Sequence, residues 1–275
     1  GSPRVQGSQA GNILTGEAMN PAELRALAAA NQFDKPTAGY CPGYVQANLA
    51  AFPSRYAEDF EKFCRANPKP CPLLEVIGPG NSLSKHLAPG ADIRETISRY
   101  QIWRNGICTD TVASLRGIDT SDFVFFLLGC SFSFEEALVE AGISLRHLDE
   151  QKNVAMYRTS IALSPVGDFH GSMVVSMRPI PDHRIDDAAA ITARYPDVHG
   201  APVHIGNPSE IGITDIEQPD YGDFVAIREG ETPVFWACGV TPQNVVHQAK
   251  LPLAVSHAPG YMFVSDLKNS SYAAD

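Results

Sequence analysis

Runs of apolar residues alternate with short polar turns along the chain, and they predict a mixture of strands and helices. The clearest run, Phe123 to Leu128, ends at a Gly-Cys-Ser turn, and a helix-forming run, Phe134 to Ala141, follows it. A strand, a tight turn and a helix in that order point the unpaired N–H groups and positive dipole end of the helix at whatever lies above the strand. This arrangement favours a bound carboxylate.

The same pattern returns near the C-terminus. An apolar strand, Pro233 to Ala237, ends at Cys238, and Thr241 can cap a helix that has a proline at its first position. We therefore expect the turns at Cys130 and Cys238 to face one cleft, which suits a small acid with two charged ends.

The remaining pattern predicts further elements with less distinctive ends. Asn20 caps a helix that has Pro21 at its first position. The segment from Val45 to Ala51 is predicted as a helix that stops before Pro53, and Asn105-Gly106 predicts a hairpin. The other predicted segments are helices at 54–65 and 182–195, strands at 73–77, 153–163, 172–178, 203–205 and 253–256, and a hairpin joining 224–228 to 233–237.

This order of elements predicts an α/β fold with two domains. Residues 17–150 and 230–275 would form a larger three-layer α/β domain, because similar strand–Cys–helix turns lie in both segments. Residues 151–229 would form a smaller two-layer domain with the order β-β-α-β. In this arrangement Leu127 and Phe235 belong to the same sheet. Residues Gly1 to Gly16 are rich in Gly, Ser and Gln and are expected to be loose.

Composition narrows the classes of partner. The 275 residues include 21 basic and 31 acidic ones, a net charge of −10, and no dense Lys/Arg run, so nucleic acid is not an expected partner. No apolar stretch reaches the length of a membrane span, and the first twenty residues lack the apolar core of a signal peptide. Six scattered Cys without CxxC spacing are typical of reduced thiols, so we expect a cytoplasmic protein. The sequence leaves a homo-oligomer open.

Polar residues suited to chemistry lie at the predicted ends of elements. Arg158 and Arg178 can either bind a substrate carboxylate through their planar forks or form structural ion pairs. His170, His204 and His257 each lie close to a Gly or a Pro, and each is either a catalyst or a capping residue. Cys130 and Cys238 are either small buried hydrophobes or, through their place at a helix start, reactive thiols. The spacing of His199 and His204 does not fit two ligands on one helical face, so no metal and no cofactor are expected.

Nine segments also resemble one known family. The sequence is similar to the bacterial hydro-lyase family related to D-glutamate cyclase over about residues 39–267, in the stretches 43–49, 67–74, 88–94, 127–138, 153–159, 169–171, 199–206, 235–243 and 256–260. The resemblance implies a two-domain α/β protein with carbon–oxygen lyase activity. The best-defined relative closes D-glutamate to 5-oxo-D-proline with loss of water.

Such a cyclisation needs a base for the amine, an acid for the departing water, a carboxylate anchor and donors for the developing oxyanion. We assign the anchor to Arg158 or Arg178 and the donors to the N–H groups around Ser131 to Ser133. The remaining candidates are His170, His204, His257 and Cys130 as catalytic groups, and Cys238 and Thr241 as further substrate contacts. The alternative function is a protein that binds or senses a small carboxylic acid without converting it.

Overall fold

The computed structural model describes residues 19–275, which form an α/β fold, as the sequence predicts. The strands make two antiparallel sheets. The strands are β1 Tyr44–Pro53, β2 Leu73–Ile77, β3 Tyr100–Arg104, β4 Ile107–Val112, β5 Phe123–Gly129, β6 Ala155–Ala162, β7 Ser172–Pro181, β8 His204–Ile205, β9 Glu231–Ala237, β10 Ala254–His257 and β11 Phe263–Lys268. The helices are α1 Pro21–Ala29, α2 Ala57–Ala66, α3 Phe132–Glu140, α4 Arg146–Asp149, α5 Ile185–Ala193 and α6 Val240–Gln248.

The first sheet has seven strands. Six of them lie in the order β2-β5-β1-β10-β3-β4. The seventh, β11, pairs with the first residues of β1, on the same edge where β10 pairs with Ala50 and Ala51. The second sheet has four strands in the order β6-β7-β9-β8. The pairs along both sheets are antiparallel.

One succession of elements occurs twice along the chain. A ten-residue strand ending in proline (β1, β7) runs through a 3-10 turn into a helix (α2, α5), and later a seven-residue strand (β5, β9) leads through Cys into a helix (α3, α6). The register is also the same, because Ala47–Pro53 pairs with Gly129–Phe123 and Val175–Pro181 pairs with Ala237–Glu231. After α3 the chain adds β6 to the second sheet, and after α6 it adds β10 to the first.

Apolar clusters on both faces of each sheet hold these layers together. One face of the first sheet, the helices α2 and α6 and one face of the second sheet share a cluster that includes Phe60, Phe126 and Phe235. The other face of the first sheet packs on the segment 87–97. The other face of the second sheet packs through Trp236 on α3 and α5. Because both faces of β5 are covered, its residues are apolar without alternation.

Three predictions from the pattern are wrong. Residues 45–51 form the strand β1 and not a helix: eight of its ten residues are buried, so no alternation marked a strand in this Ala-containing run. The segment 224–228 forms no strand, because β9 pairs instead with β7 and β8. For the same reason Leu127 and Phe235 lie in different sheets. The division into domains at residues 151 and 229 stays a prediction.

The start of α1 is confirmed: Asn20 is the N-cap, Pro21 is the first helical residue, and Asn20 forms a capping box with Glu23. The strand at 73–77 and the hairpin of β3 and β4 are also where the sequence placed them. The expected loose segment at residues 1–16 lies outside the described residues. Within residues 19–275, none of the helices is both long and apolar enough to cross a membrane.

Candidate functional site

The two strand–Cys–helix turns meet at Asn48, in the middle of β1. The Asn48 Nδ2 donates a hydrogen bond of 3.0 Å to the carbonyl oxygen of Gly129, the last residue of β5. The same nitrogen lies against Gly239 at the start of α6, where an added Cβ would approach it to 2.6 Å. The fold therefore brings the ends of β5 and β9 together, although these strands belong to different sheets.

Both cysteines at these turns are neutral thiols. Cys130 and Cys238 are each 8% exposed. Burial raises the pKa of Cys130 to about 12, although the N–H group of Phe132 opposes the shift. Burial likewise raises the pKa of Cys238 against the N–H group of Val240. Desolvation thus outweighs the helix start, and neither thiol has the thiolate character of a nucleophile at neutral pH.

Arg178 is fully buried beneath the first turn of α3. Its Nε donates to Glu135 Oε1 at 3.1 Å, its Nη2 also binds that oxygen, and its Nη1 donates to Ser176 Oγ at 2.7 Å. The guanidinium also lies against the stacked rings of Phe134 and Trp236, with its Cζ 4.9 and 5.3 Å from their centroids. These contacts make Arg178 a structural ion-pair partner and leave little of it for a substrate.

Glu135 is held in its charged form by this surrounding. Although burial opposes the shift, the charge of Arg178 and the contact with His147 lower the pKa of Glu135 to about 2. His147 Nε2 lies 3.2 Å from Glu135 Oε1, and both side chains are almost completely buried. An acid in the first helical turn also suits the helix dipole. The ion pair of Glu135 and Arg178 joins α3 to β7, and its two charges compensate each other.

His257 lies beside the other helix, at the end of β10. Its Nδ1 accepts a hydrogen bond of 3.0 Å from the Leu49 N–H. Its Nε2 lies 3.1 Å from the side-chain amide nitrogen of Gln243 in α6. Burial lowers the pKa of His257 to about 4 against the opposing effect of Leu49. The ring is therefore neutral at pH 7 and carries its proton on Nε2, where it can donate but not accept.

The other predicted catalytic histidines lie elsewhere. His204 pairs with Phe235 on β9, and its Nε2 contacts the carbonyl of Asn207 at 2.7 Å. Its position in the pair places it on the face of the second sheet opposite to Arg178. His170 is exposed in the turn before β7. Of the three, only His257 contacts a helix that begins at one of the Cys turns.

Arg158 is the accessible arginine of the two candidates. Its side chain is exposed, and its Nη2 donates to Tyr221 Oη at 3.0 Å. Tyr221 in turn bonds to Asn244 of α6. Arg158 also borders a cleft of about 270 Å³ whose lining includes Asp215 and Asp220.

The hydroxyl groups at the helix starts differ in their use. Thr241 does not cap α6, because its Oγ1 bonds to both the N–H and the carbonyl of Val174. Ser133 is buried, and its Oγ has no partner among the described residues. Ser131 is half-buried and receives a long 3.4 Å contact from Arg178 Nη2.

Sequence reasoning missed three residues of this cluster. Asn48 lay in a segment predicted to be helical, so nothing placed it beside the Cys turns. Gln243 was part of a matching stretch but carried no chemical signal of its own. Glu135 lies in a first helical turn, where an acid is expected on dipole grounds alone, and its partner Arg178 is 43 positions away. One sequence signal does point to two of them: Glu135 lies five residues after Cys130, and Gln243 lies five residues after Cys238.

The part of the sequence that contains these turns matches a known family. The model of the D-glutamate cyclase family matches residues 124–266, which include both Cys turns, β7 and His257. The chain belongs to the D-glutamate cyclase family. A Bacillus subtilis protein named "Putative hydro-lyase YcsI" is 50% identical over 255 residues, covering 93% of this chain and 99% of its own length. A "Putative hydro-lyase" of Burkholderia ambifaria is 52% identical over the same shares of both chains.

Among solved structures, a nitrogen repressor-like protein of Methanococcus jannaschii aligns over 86% of this chain and 92% of its own, with a TM-score of 0.37 and 11% identity. Within residues 19–275, no group of three or more His, Cys, Asp or Glu side chains is arranged to hold a metal ion.

Proposed function

We propose that this protein is a hydro-lyase that closes D-glutamate to 5-oxo-D-proline. Membership of the D-glutamate cyclase family and the names of the relatives support a hydro-lyase. The observation that carries the proposal is the meeting of two Cys turns at Asn48, beside a buried neutral His257.

The reaction joins the amine nitrogen to the γ-carboxyl carbon of the substrate. The ammonium group gives up two protons, and these leave with one γ-carboxylate oxygen as water. The enzyme must therefore distinguish the γ-carboxylate, which reacts, from the α-carboxylate, which does not. The reacting γ-carboxylate needs a hydrogen-bond donor beside it. We assign this role to His257 Nε2–H, because its Nδ1 is already occupied by Leu49. The Gln243 amide lies 3.1 Å from this Nε2, so the substrate takes the place of that amide.

The other groups receive roles according to their burial. Arg158 is our candidate for the anchor of the carboxylate that does not react, since its guanidinium is exposed. Arg178 holds the turn at Ser131 through Glu135 and acts as a positioning residue. Neither Cys130 nor Cys238 is assigned a nucleophilic step, because thiols are poor nucleophiles and attack on an ionised carboxylate is unfavourable.

The alternative is a protein that binds a small amino or hydroxy acid without converting it. Incubation with D-glutamate followed by chiral chromatography separates the two functions. We expect 5-oxo-D-proline to accumulate with the protein and not with a heat-denatured sample. L-glutamate and a panel of 2-hydroxy acids define the substrate. Saturable binding of D-glutamate without any product would favour the alternative and contradict the proposal.

A further inference from the structure

Asn48 presents an unused hydrogen-bond acceptor to the junction of the two turns. Its Nδ2 donates to the Gly129 carbonyl, which fixes the orientation of the amide and makes Oδ1 the remaining polar atom. Among residues 19–275, no donor forms a hydrogen bond to this oxygen. The side chain is 7% exposed, so it is held firmly and still reaches the junction.

Gly239 has its place because of this amide. Its backbone has φ −64° and ψ −11°, which any residue can adopt, so glycine is not required for the conformation. It is required for space, because a Cβ would come within 2.6 Å of Asn48 Nδ2 and 3.5 Å of its Oδ1. The start of α6 is thus shaped to accommodate the Asn48 side chain.

The groups that Asn48 contacts at Gly129 and Gly239 carry no charge. Gln243 lies one helical turn after Gly239 and covers His257, whose ring is bonded to Leu49 next to Asn48. The titratable or charged groups around the junction are Cys130 and Glu135 after β5, His147 of α4 against Glu135, Arg178 on β7, Cys238 after β9 and His257 on β10. The thiols and the His257 imidazole are neutral, and Arg178 compensates the charge of Glu135.

We infer that Asn48 Oδ1 accepts a hydrogen bond from the amino group of the substrate. The inference rests on the proposed function and specifies its substrate class as an amino acid and not a hydroxy acid or a simple dicarboxylate. A neutral acceptor suits an amine that must become a nucleophile, since a carboxylate in the same place would stabilise the unreactive ammonium form. Asn48 is then a specificity-determining residue.

Calorimetric titration with D-glutamate and with glutarate, which lacks the amine, tests this contact. In Asn48→Ala we expect the affinity for D-glutamate to fall about tenfold, as for one lost hydrogen bond to a charged or polar ligand group. The affinity for glutarate should change less than about twofold, because the amine contact is absent from it. An equal loss for both ligands, or no loss for either, would overturn the inference.

A second variant leaves Asn48 itself intact. Gly239→Ala should displace the amide and reproduce the selective loss of D-glutamate affinity. Gly117→Ala is the matched control, because a Cβ there meets nothing within 4 Å, and it should bind like the wild type. Selective loss in both site variants supports the inference, and a Gly239→Ala protein with wild-type selectivity contradicts it.

The pH dependence of turnover provides a readout that a structural role would not move. In Asn48→Asp the new carboxylate should stabilise the substrate ammonium and shift the acidic limb of the kcat profile to higher pH. An unshifted limb would contradict the contact. If the wild type binds D-glutamate more tightly than glutarate but releases no 5-oxo-D-proline, the proposed reaction fails while the amine contact stands. Wild-type protein that does not prefer D-glutamate would refute the amine contact even if some cyclisation occurs.

Discussion

Burial decides the charge of each candidate residue in this molecule. His257 and both turn cysteines lose their charged forms to desolvation, whereas Glu135 keeps its charge because Arg178 and His147 accompany it. The sequence could name His257 and the two cysteines, because their types and their places next to Gly or Pro were visible. It could not assign their charges, since those depend on partners from distant strands.

The donor role of His257 gives a prediction for turnover. In His257→Asn the new Oδ1 can still accept the Leu49 N–H, but the Nε2–H donor is gone. We expect kcat for 5-oxo-D-proline formation to fall by roughly 10²–10⁴, the usual range for loss of an acid–base group, with KM little changed. Steady-state kinetics measure both.

His183→Asn is the matched control, because His183 is exposed at the end of β7, away from both Cys turns. Its kinetics should equal those of the wild type. A His257→Asn enzyme with normal kcat would remove His257 from the reaction.

At the level of secondary structure elements, the sequence predicted several elements correctly but not how the elements pack on one another. The sequence predicted β2 and the β3–β4 hairpin correctly because a proline precedes β2 and Asn105-Gly106 separates β3 from β4. β1 was mistaken for a helix because its faces are both buried, which leaves no alternation. The docking of α3 onto β7 by Glu135 and Arg178 was beyond the sequence, because an ion pair has no periodicity.

This docking predicts a non-additive effect on stability. Arg178→Met removes the guanidinium that compensates the buried charge of Glu135 and leaves that carboxylate in contact with His147. We expect the free energy of unfolding to fall by about 3–5 kcal/mol, as when one partner of a buried ion pair is removed. Urea denaturation at neutral pH measures the loss.

The double variant Arg178→Met with Glu135→Leu removes both charges and keeps similar volumes. It should regain most of the stability lost in the single variant, because an apolar pair can replace a buried ion pair. Losses that simply add would show that the charge pair is not the origin of the effect.

For the whole molecule, the repeated succession of elements explains why two similar turns exist and why they meet. The first half of the chain contributes β6 to the second sheet, and the second half contributes β10 and β11 to the first sheet, so the halves interlock. The sequence displayed only the repeated strand–Cys–helix pattern. The common register of β1–β5 and β7–β9 could not be predicted, since the paired segments differ in almost every side chain.

Interlocked halves bury histidines that are free to titrate in the unfolded chain, and this predicts how stability depends on pH. Burial lowers the pKa of His199, His247 and His257 to about 4 in the folded protein, from an ordinary value of 6.5. Unfolding between these values takes up protons, so the free energy of unfolding is greatest above pH 6.5 and falls as the pH decreases towards 4. Each histidine should contribute a slope of about 1.4 kcal/mol per pH unit within that window. Urea denaturation at pH 7, 6 and 5 measures it. His257→Asn should remove one of the three contributions, while the exposed His183→Asn should leave the slope unchanged. A free energy of unfolding that is constant from pH 7 to 5 would show that none of these rings is held neutral.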